Sequence, residues 1–188
     1  MYNFFEKKNF EISKNFINLN KERENIFNSV KLIARALTKN KKILFCGNGG
    51  SAADSLHLSS ELIAYFLNKN RRSVPAISLT SNSSVLTSIS NDKNFSSIFS
   101  RQIEGLGEAG DILFAISTSG RSKNIIHAIK KAKLMNIKVV FLTSDNVKKK
   151  NNLPDVTIRV PSKKVDRIQE MHIAVGHFIC ELIEKSLK

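Results

Sequence analysis

Cysteine is scarce in this 188-residue chain: Cys46 and Cys180 both sit in apolar runs, so neither a disulfide framework nor a thiolate zinc site is expected. Long apolar runs are lacking as well. None approaches the ~20 residues of a membrane span. The N-terminal start mixes charge with aromatics, unlike the apolar core of a signal peptide. The cytoplasm is therefore the expected compartment, with no membrane partner. Acid is in short supply, 16 Asp+Glu against 30 Lys+Arg, for a formal net charge of +14. Such an excess suits nucleic acid, but it suits an anionic small molecule equally well. The basic residues are scattered (Lys7-Lys8, Lys41-Lys42, Arg71-Arg72, Lys130-Lys131, Lys148-Lys149-Lys150, Lys163-Lys164), and no recognisable DNA- or RNA-binding module accompanies them. Nucleic acid is not the expected partner. No repeat, low-complexity tract or Pro/Gly linker divides the chain, so residues 1–188 read as one domain.

What is present is an alternation of helix-like and strand-like segments. Short apolar runs at Ile43–Cys46, 74–79, 111–116, 137–142 and Val156–Val160 read as five strands. Residues 3–38 read as helix with room for a break, since Phe10, Ile12, Phe16, Ile17, Ile26, Val30, Ile33 and Leu37 recur at near-helical spacing. Further helices are expected over 52–67, 122–135 and 165–187. Two short ones, 83–90 and 95–105, flank Asn91-Asp92. Residues 68–73 and 146–154 read as loops. The pattern predicts an α/β fold: a five-stranded parallel sheet covered on both faces, a three-layer sandwich with long N- and C-terminal helices. Ligands of such sheets bind at the carboxyl ends of the strands.

Two strand ends carry the chemistry. Cys46-Gly47-Asn48-Gly49-Gly50-Ser51-Ala52-Ala53-Asp54 takes the first strand through a glycine turn into a helix. Glycine lets backbone approach a ligand, and the helix start offers free N–H groups and a positive dipole end to phosphate. The stretch lacks the Gly-Lys-Ser/Thr of a nucleotide P-loop, and its third glycine position is Ala52, which argues against a dinucleotide fingerprint. Ser117-Thr118-Ser119-Gly120-Arg121-Ser122 repeats the design with hydroxyls. One serine would serve as a helix cap; four hydroxyls around a glycine favour a phosphate cradle.

His57 and Glu61 lie four apart on one helix face, where they could hold a metal together or act as acid and base, or form an exposed polar pair. The last helix carries Gln169, His172 and His177 among apolar residues. Gln169 and His177 are about 12 Å apart along the axis, and spacing alone leaves open which histidine is functional.

Taken together, the glycine turn, His57-x-x-x-Glu61, Asn91-Asp92, Ser117-Thr118-Ser119-Gly120-x-Ser122 and Arg167-Ile168-Gln169-Glu170-Met171-His172 resemble the sugar isomerase (SIS) domain family, and within it the phosphoheptose isomerases. The resemblance runs over nearly the whole chain. It implies a flavodoxin-like SIS domain and an aldose–ketose isomerase. That enzyme would convert sedoheptulose 7-phosphate to D-glycero-D-manno-heptose 7-phosphate, the first step toward the ADP- or GDP-heptose of bacterial lipopolysaccharide or capsule. Ser51, Ser117, Ser119 and Ser122 match phosphate-holding positions. Asn48, Gly49, Gly50, Asn91, Asp92 and Thr118 match sugar-contacting ones, with Gln169 and Glu61 also at the substrate. Glu61 matches the base and His177 its acid–base partner. His57, Glu61, Gln169 and His177 match a zinc site, one ion per subunit, and Asp166 an acidic position near the site. The resemblance also implies a homotetramer with its terminal helices in a central bundle and its sites built between subunits.

The chemistry suits these residue types: moving a carbonyl from C2 to C1 needs a base for a carbon-bound proton and an acid for the oxygens. A glutamate bound to zinc is a poorer base, which sets two of its implied roles in tension. The alternative readings are a non-catalytic SIS protein that binds a replication initiator or senses a sugar phosphate, and an isomerase of another sugar phosphate.

Overall fold

The computed structural model describes residues 1–147 and 153–187. The N-terminal helix is broken in two, α1 (Tyr2–Asn18) and α2 (Arg23–Leu37), by a 3-10 turn at Leu19–Glu22. Glu22 fixes the break. Its carboxylate accepts from Asn25 Nδ2 at 2.8 Å and from the backbone N–H of Arg159 at 3.0 Å, tying the turn to the last strand.

The chain continues through β1 (Ile43–Cys46), α3 (Gly50–Ile63), β2 (Ala76–Ser78), α4 (Ser83–Asp92), α5 (Ile98–Leu106), β3 (Ile112–Ile116), α6 (Lys123–Leu134), β4 (Lys138–Ser144), β5 (Val156–Val160) and α7 (Val165–Ser186). Most boundaries shift by a residue or two, β4 running on to Ser144 and α3 starting at Gly50, and three differences bear on the site. Helix α3 ends at Ile63 rather than 67, because its last carbonyls find other partners: Glu61 O accepts from Arg71, Ile63 O from Ser73 Oγ and Leu62 O from Val74 N. Strand β2 is shorter than 74–79, although Pro75 O and Leu79 N still bond to Ile43 and Phe45 of β1. Helix α4 runs through Asn91 and Asp92 instead of stopping before them. The expected loop 146–154 is centred on residues that lie outside the described ones, Lys148-Lys149-Lys150 among them.

All five strands are parallel, in the order β2-β1-β3-β4-β5. Ile43 pairs with Ile112, and Phe114 with Val140. Side chains alternate along each strand. Ile43, Phe45, Ile112, Phe114 and Val140 bury against α2, α3 and α7. Leu44, Cys46, Leu113, Ala115 and Val139 bury against α5 and α6. The expected three-layer sandwich follows. From β1 the chain goes out to β2 on one side and returns to β3 on the other. The carboxyl ends of β1 and β3 therefore flank the topological switch point where such sheets bind ligands.

Candidate active site

Both predicted cradles stand at that switch point. After β1, the turn Gly47-Asn48-Gly49 ends with Gly49 at φ +56° as the N-cap of α3, whose first turn no side chain caps. After β3, residues 117–122 lead into α6 around Gly120 at φ +61°. Ser117 Oγ accepts from Gly120 N at 3.1 Å and lies 3.5 Å from Ser122 Oγ; Ser119 Oγ accepts from Arg121 N at 3.2 Å. Ser122 occupies the N-cap of α6 and yet makes no capping bond, so capping does not account for its hydroxyl. The turns are joined side to side. Asn48 Nδ2 donates to Asn124 Oδ1 at 2.9 Å, and Asn124 Nδ2 returns a bond to Asn48 Oδ1 at 2.8 Å.

The second cradle is held from beneath by β4. Thr143 Oγ1 donates to Ser117 O and Ser144 Oγ to Thr118 O, each at 2.7 Å. Thr143 O in turn accepts from His172 Nε2 at 3.0 Å. His172 is wholly buried, and burial pushes its imidazole down to about 4 against the pull of the Thr143 bond. It is a buried, neutral strut under the cradle, bonded to the strand that supports it.

His177 is placed differently. Helix α7 packs so closely on α3 at Gly176 that a Cβ there would stand 2.5 Å from Leu58 Cδ2. This close approach brings His177 Nε2 to 2.9 Å from His57 Nε2, with Glu61 Oε1 3.5 Å from the same His57 atom. Phe66 stacks on the His177 ring, centroids 5.2 Å apart. Burial, aided by His57, pulls the pKa of His177 below the ordinary imidazole value against the opposing Glu61 carboxylate, which favours the uncharged ring. One turn before His57, Asp54 has a buried oxygen without a partner. Burial raises its carboxyl to about 6, with His57 pulling it down.

The other predicted residues do not join this trio within one chain. Gln169 lies against Gly50, close enough that a Cβ there would collide with its amide. His57 and Glu61 sit about 10 and 16 Å further along α3 than Gly50. Among the described residues, no group of three His, Cys, Asp or Glu has metal-holding geometry. His57, Glu61 and His177 are closed up by the direct bond between imidazoles. Asn91 and Asp92 are exposed at the end of α4, where Asn91 Nδ2 donates to Asp92 Oδ1 at 3.0 Å and Ser88 Oγ to Asp92 Oδ2 at 3.3 Å. Asp166 accepts from Arg167 N at 2.8 Å, the main reason its carboxyl sits below the usual range.

Comparison with known proteins agrees with this architecture. Residues 10–144 match the SIS domain family. The phosphoheptose isomerase of Nitratiruptor sp. is 44% identical over 187 residues, covering 99% of this chain and all of the relative. Solved phosphoheptose isomerases from Neisseria gonorrhoeae (35% identity, TM-score 0.89, 98% of this chain and 100% of that one) and Francisella tularensis (31%, TM-score 0.91, 98% of each) share the fold throughout. The chain belongs to the SIS-domain family, among the phosphoheptose isomerases. The family match ends in β4, and the full-length relatives extend it over α7 with Gln169 and His177.

Several residues around the site of this phosphoheptose isomerase relative escape sequence reasoning. Asn124 and Thr143 act on partners 76 and 26 positions away. Phe66 reads as an ordinary helical apolar residue, and Arg71 as scattered charge. Only contacts distant in sequence reveal them.

Proposed function

We propose that this chain is an aldose–ketose isomerase that interconverts sedoheptulose 7-phosphate and D-glycero-D-manno-heptose 7-phosphate through an enediol. The name shared by its relatives supports the reading. The observation that carries it is the grouping of Glu61 and His177 around His57, whose Nε2 lies 3.5 Å from the one and 2.9 Å from the other, in a chain that also holds two hydroxyl- and amide-rich strand ends.

The phosphate rests on the hydroxyls of Ser51, Ser117, Ser119 and Ser122 and on the helix starts behind them. Asn48, Gly49, Gly50, Thr118, Asn91, Asp92 and Gln169 line the sugar. Remote binding of the phosphate positions the reacting end. Glu61 takes a proton from C1 and returns it to C2. His177, whose pKa burial lowers, relays a proton from O1 to O2. Two imidazoles and a carboxylate also suit zinc, which, held by His57, Glu61 and His177 with the Gln169 amide, would stabilise negative charge on the substrate oxygens. Because Gln169 lies against Gly50 in its own chain, a second copy is the natural source of the fourth donor.

A homotetramer with shared sites agrees with three features. Asn91 and Asp92 are exposed and bound only to α4. Tyr2, Phe4, Phe5, Phe10 and Ile17 of α1 are exposed. A groove of ≈ 480 Å³ between α2 and α7 is lined by Phe16, Leu19, Ile26, Phe27, Phe178 and Leu182. Exposed apolar surface of this kind marks an interface. No helix among the described residues is long and apolar enough to cross a membrane, and two buried, unpaired thiols suit a cytoplasmic setting. The initiator-binding and sensing alternatives give no reason for Glu61, His57 and His177 to gather at one place.

The test is Glu61→Gln. It keeps the shape of the trio and removes the base, so turnover falls about 10³-fold or more while sedoheptulose 7-phosphate still binds. Turnover within a few-fold of the native protein contradicts the assignment.

A further inference from the structure

An ion pair stands beside the reacting groups and plays no part in the reaction as derived above. Arg71 Nε lies 2.6 Å from Glu184 Oε1, with the two side chains 2% and 4% exposed. Burying two charges is costly unless every bond is made, and here nearly all are. The Glu184 carboxylate also accepts from three successive backbone N–H groups of the loop after α3: Phe66 at 2.7 Å, Leu67 at 2.9 Å and Asn68 at 3.1 Å. Arg71 NH2 donates to the backbone carbonyl of Glu61, and Ser73 and Val74 take the next two carbonyls of α3. A guanidinium at a helix C-terminus also complements the dipole.

Each arm of this arrangement ends on a reacting residue. The guanidinium holds the last turn of α3 at Glu61 itself. The carboxylate pins the N–H of Phe66, whose ring lies on His177. Glu184 and His177 share α7, about two turns apart.

Resting on the isomerase reading, we infer that Arg71 and Glu184 form a positioning clamp that sets Glu61 and His177 at their working separation. Neither residue touches substrate. The clamp orders residues 64–73 across α3 and α7, so that proton transfer meets a fixed base and a fixed imidazole. The phosphate cradles at the ends of β1 and β3 do not depend on it. Its loss therefore acts on the chemical step and leaves substrate affinity in place, because displacement of a reacting group by about 1 Å can cost 10²-fold in rate.

The experiment measures kcat and KM for sedoheptulose 7-phosphate in the native protein, Arg71→Met, Arg71→Lys and Phe66→Leu, with thermal melting as the check on folding. The chain has four histidines, so ring-proton NMR on histidine-labelled protein reports His177 separately, through the shielding from Phe66. The clamp predicts that Arg71→Met lowers kcat about 10²-fold with KM within about threefold, and that Arg71→Lys recovers most of the loss. It also predicts that Phe66→Leu, which leaves the ion pair intact and the fold secure, lowers kcat about tenfold. In Arg71→Met the His177 signals lose their shielding while those of His127 stay put. Native kcat in both Arg71→Met and Phe66→Leu, or unmoved His177 signals in Arg71→Met, overturns the clamp. A native protein without turnover sinks the isomerase reading instead, and the His177 signals still decide whether the clamp exists.

Discussion

The side-chain amides of Asn48 and Asn124 face each other edge to edge, each donating to the other at 2.9 and 2.8 Å. They join the turn after β1 to the turn after β3, so the two cradles form one rigid floor. Asn124→Ala removes both bonds. The partly exposed Asn48 recovers water, so the cost in stability is small, about 1–2 kcal/mol. The larger effect is on binding: KM for the sugar phosphate rises several-fold while kcat changes little. Steady-state kinetics checks this, and an unchanged KM contradicts a shared floor.

The two histidines of α7 separate in opposite directions. His177→Asn abolishes most turnover and leaves the melting temperature nearly unchanged, because His177 is only partly buried and sits at the reacting end. His172→Asn does the reverse. It breaks the buried bond to Thr143 O and costs stability, about 1–3 kcal/mol, with kcat largely retained. Paired melting curves and kinetics distinguish them; equal losses of activity contradict the placement.

His172 also predicts a dependence on pH. Its folded value is about 4 against the ordinary 6.5, so between those limits the unfolded chain holds a proton that the folded chain does not. Stability from this group is fully present above pH 6.5 and lost as the pH falls toward 4, by up to roughly 3 kcal/mol. Asp54 runs the other way. Raised from 3.8 to about 6, it contributes stability at low pH that is lost as the pH rises through that window. The difference between native protein and His172→Gln cancels the Asp54 contribution. Denaturant unfolding from pH 4 to 7 then shows a flatter acid limb in the variant; parallel curves contradict the prediction.

Gly50→Ala tests Gln169. The new methyl collides only with the amide end of a flexible side chain, so the fold survives and Gln169 is displaced. If Gln169 lines the sugar or completes the metal set, kcat/KM falls about tenfold or more at little cost in melting temperature. Kinetics of Gly50→Ala beside Gln169→Ala checks it, and full activity in both removes Gln169 from the site.

What the sequence made legible is what short-range pattern decides. The five strands stand out as short apolar runs between polar turns, and the cradles as glycine and hydroxyl clusters at their ends. The end of α3 was not legible, since Arg71, Ser73 and Val74 reach back for its carbonyls from the following loop. The continuation of α4 through Asn91-Asp92 was missed because both residues read as turn formers. Spacing left His172 and His177 equivalent. Packing decides between them: one is enclosed beneath Thr143, and the other is carried to His57 by the Gly176–Leu58 approach. Glu184 pairs with Arg71 across 113 positions, a distance no local pattern spans.

The most direct measurement is to incubate the protein with sedoheptulose 7-phosphate and follow aldoheptose 7-phosphate by NMR, with added zinc and with a chelator. The account predicts that the aldose forms, faster with zinc than with the chelator. A folded protein that forms no aldose under either condition would contradict it.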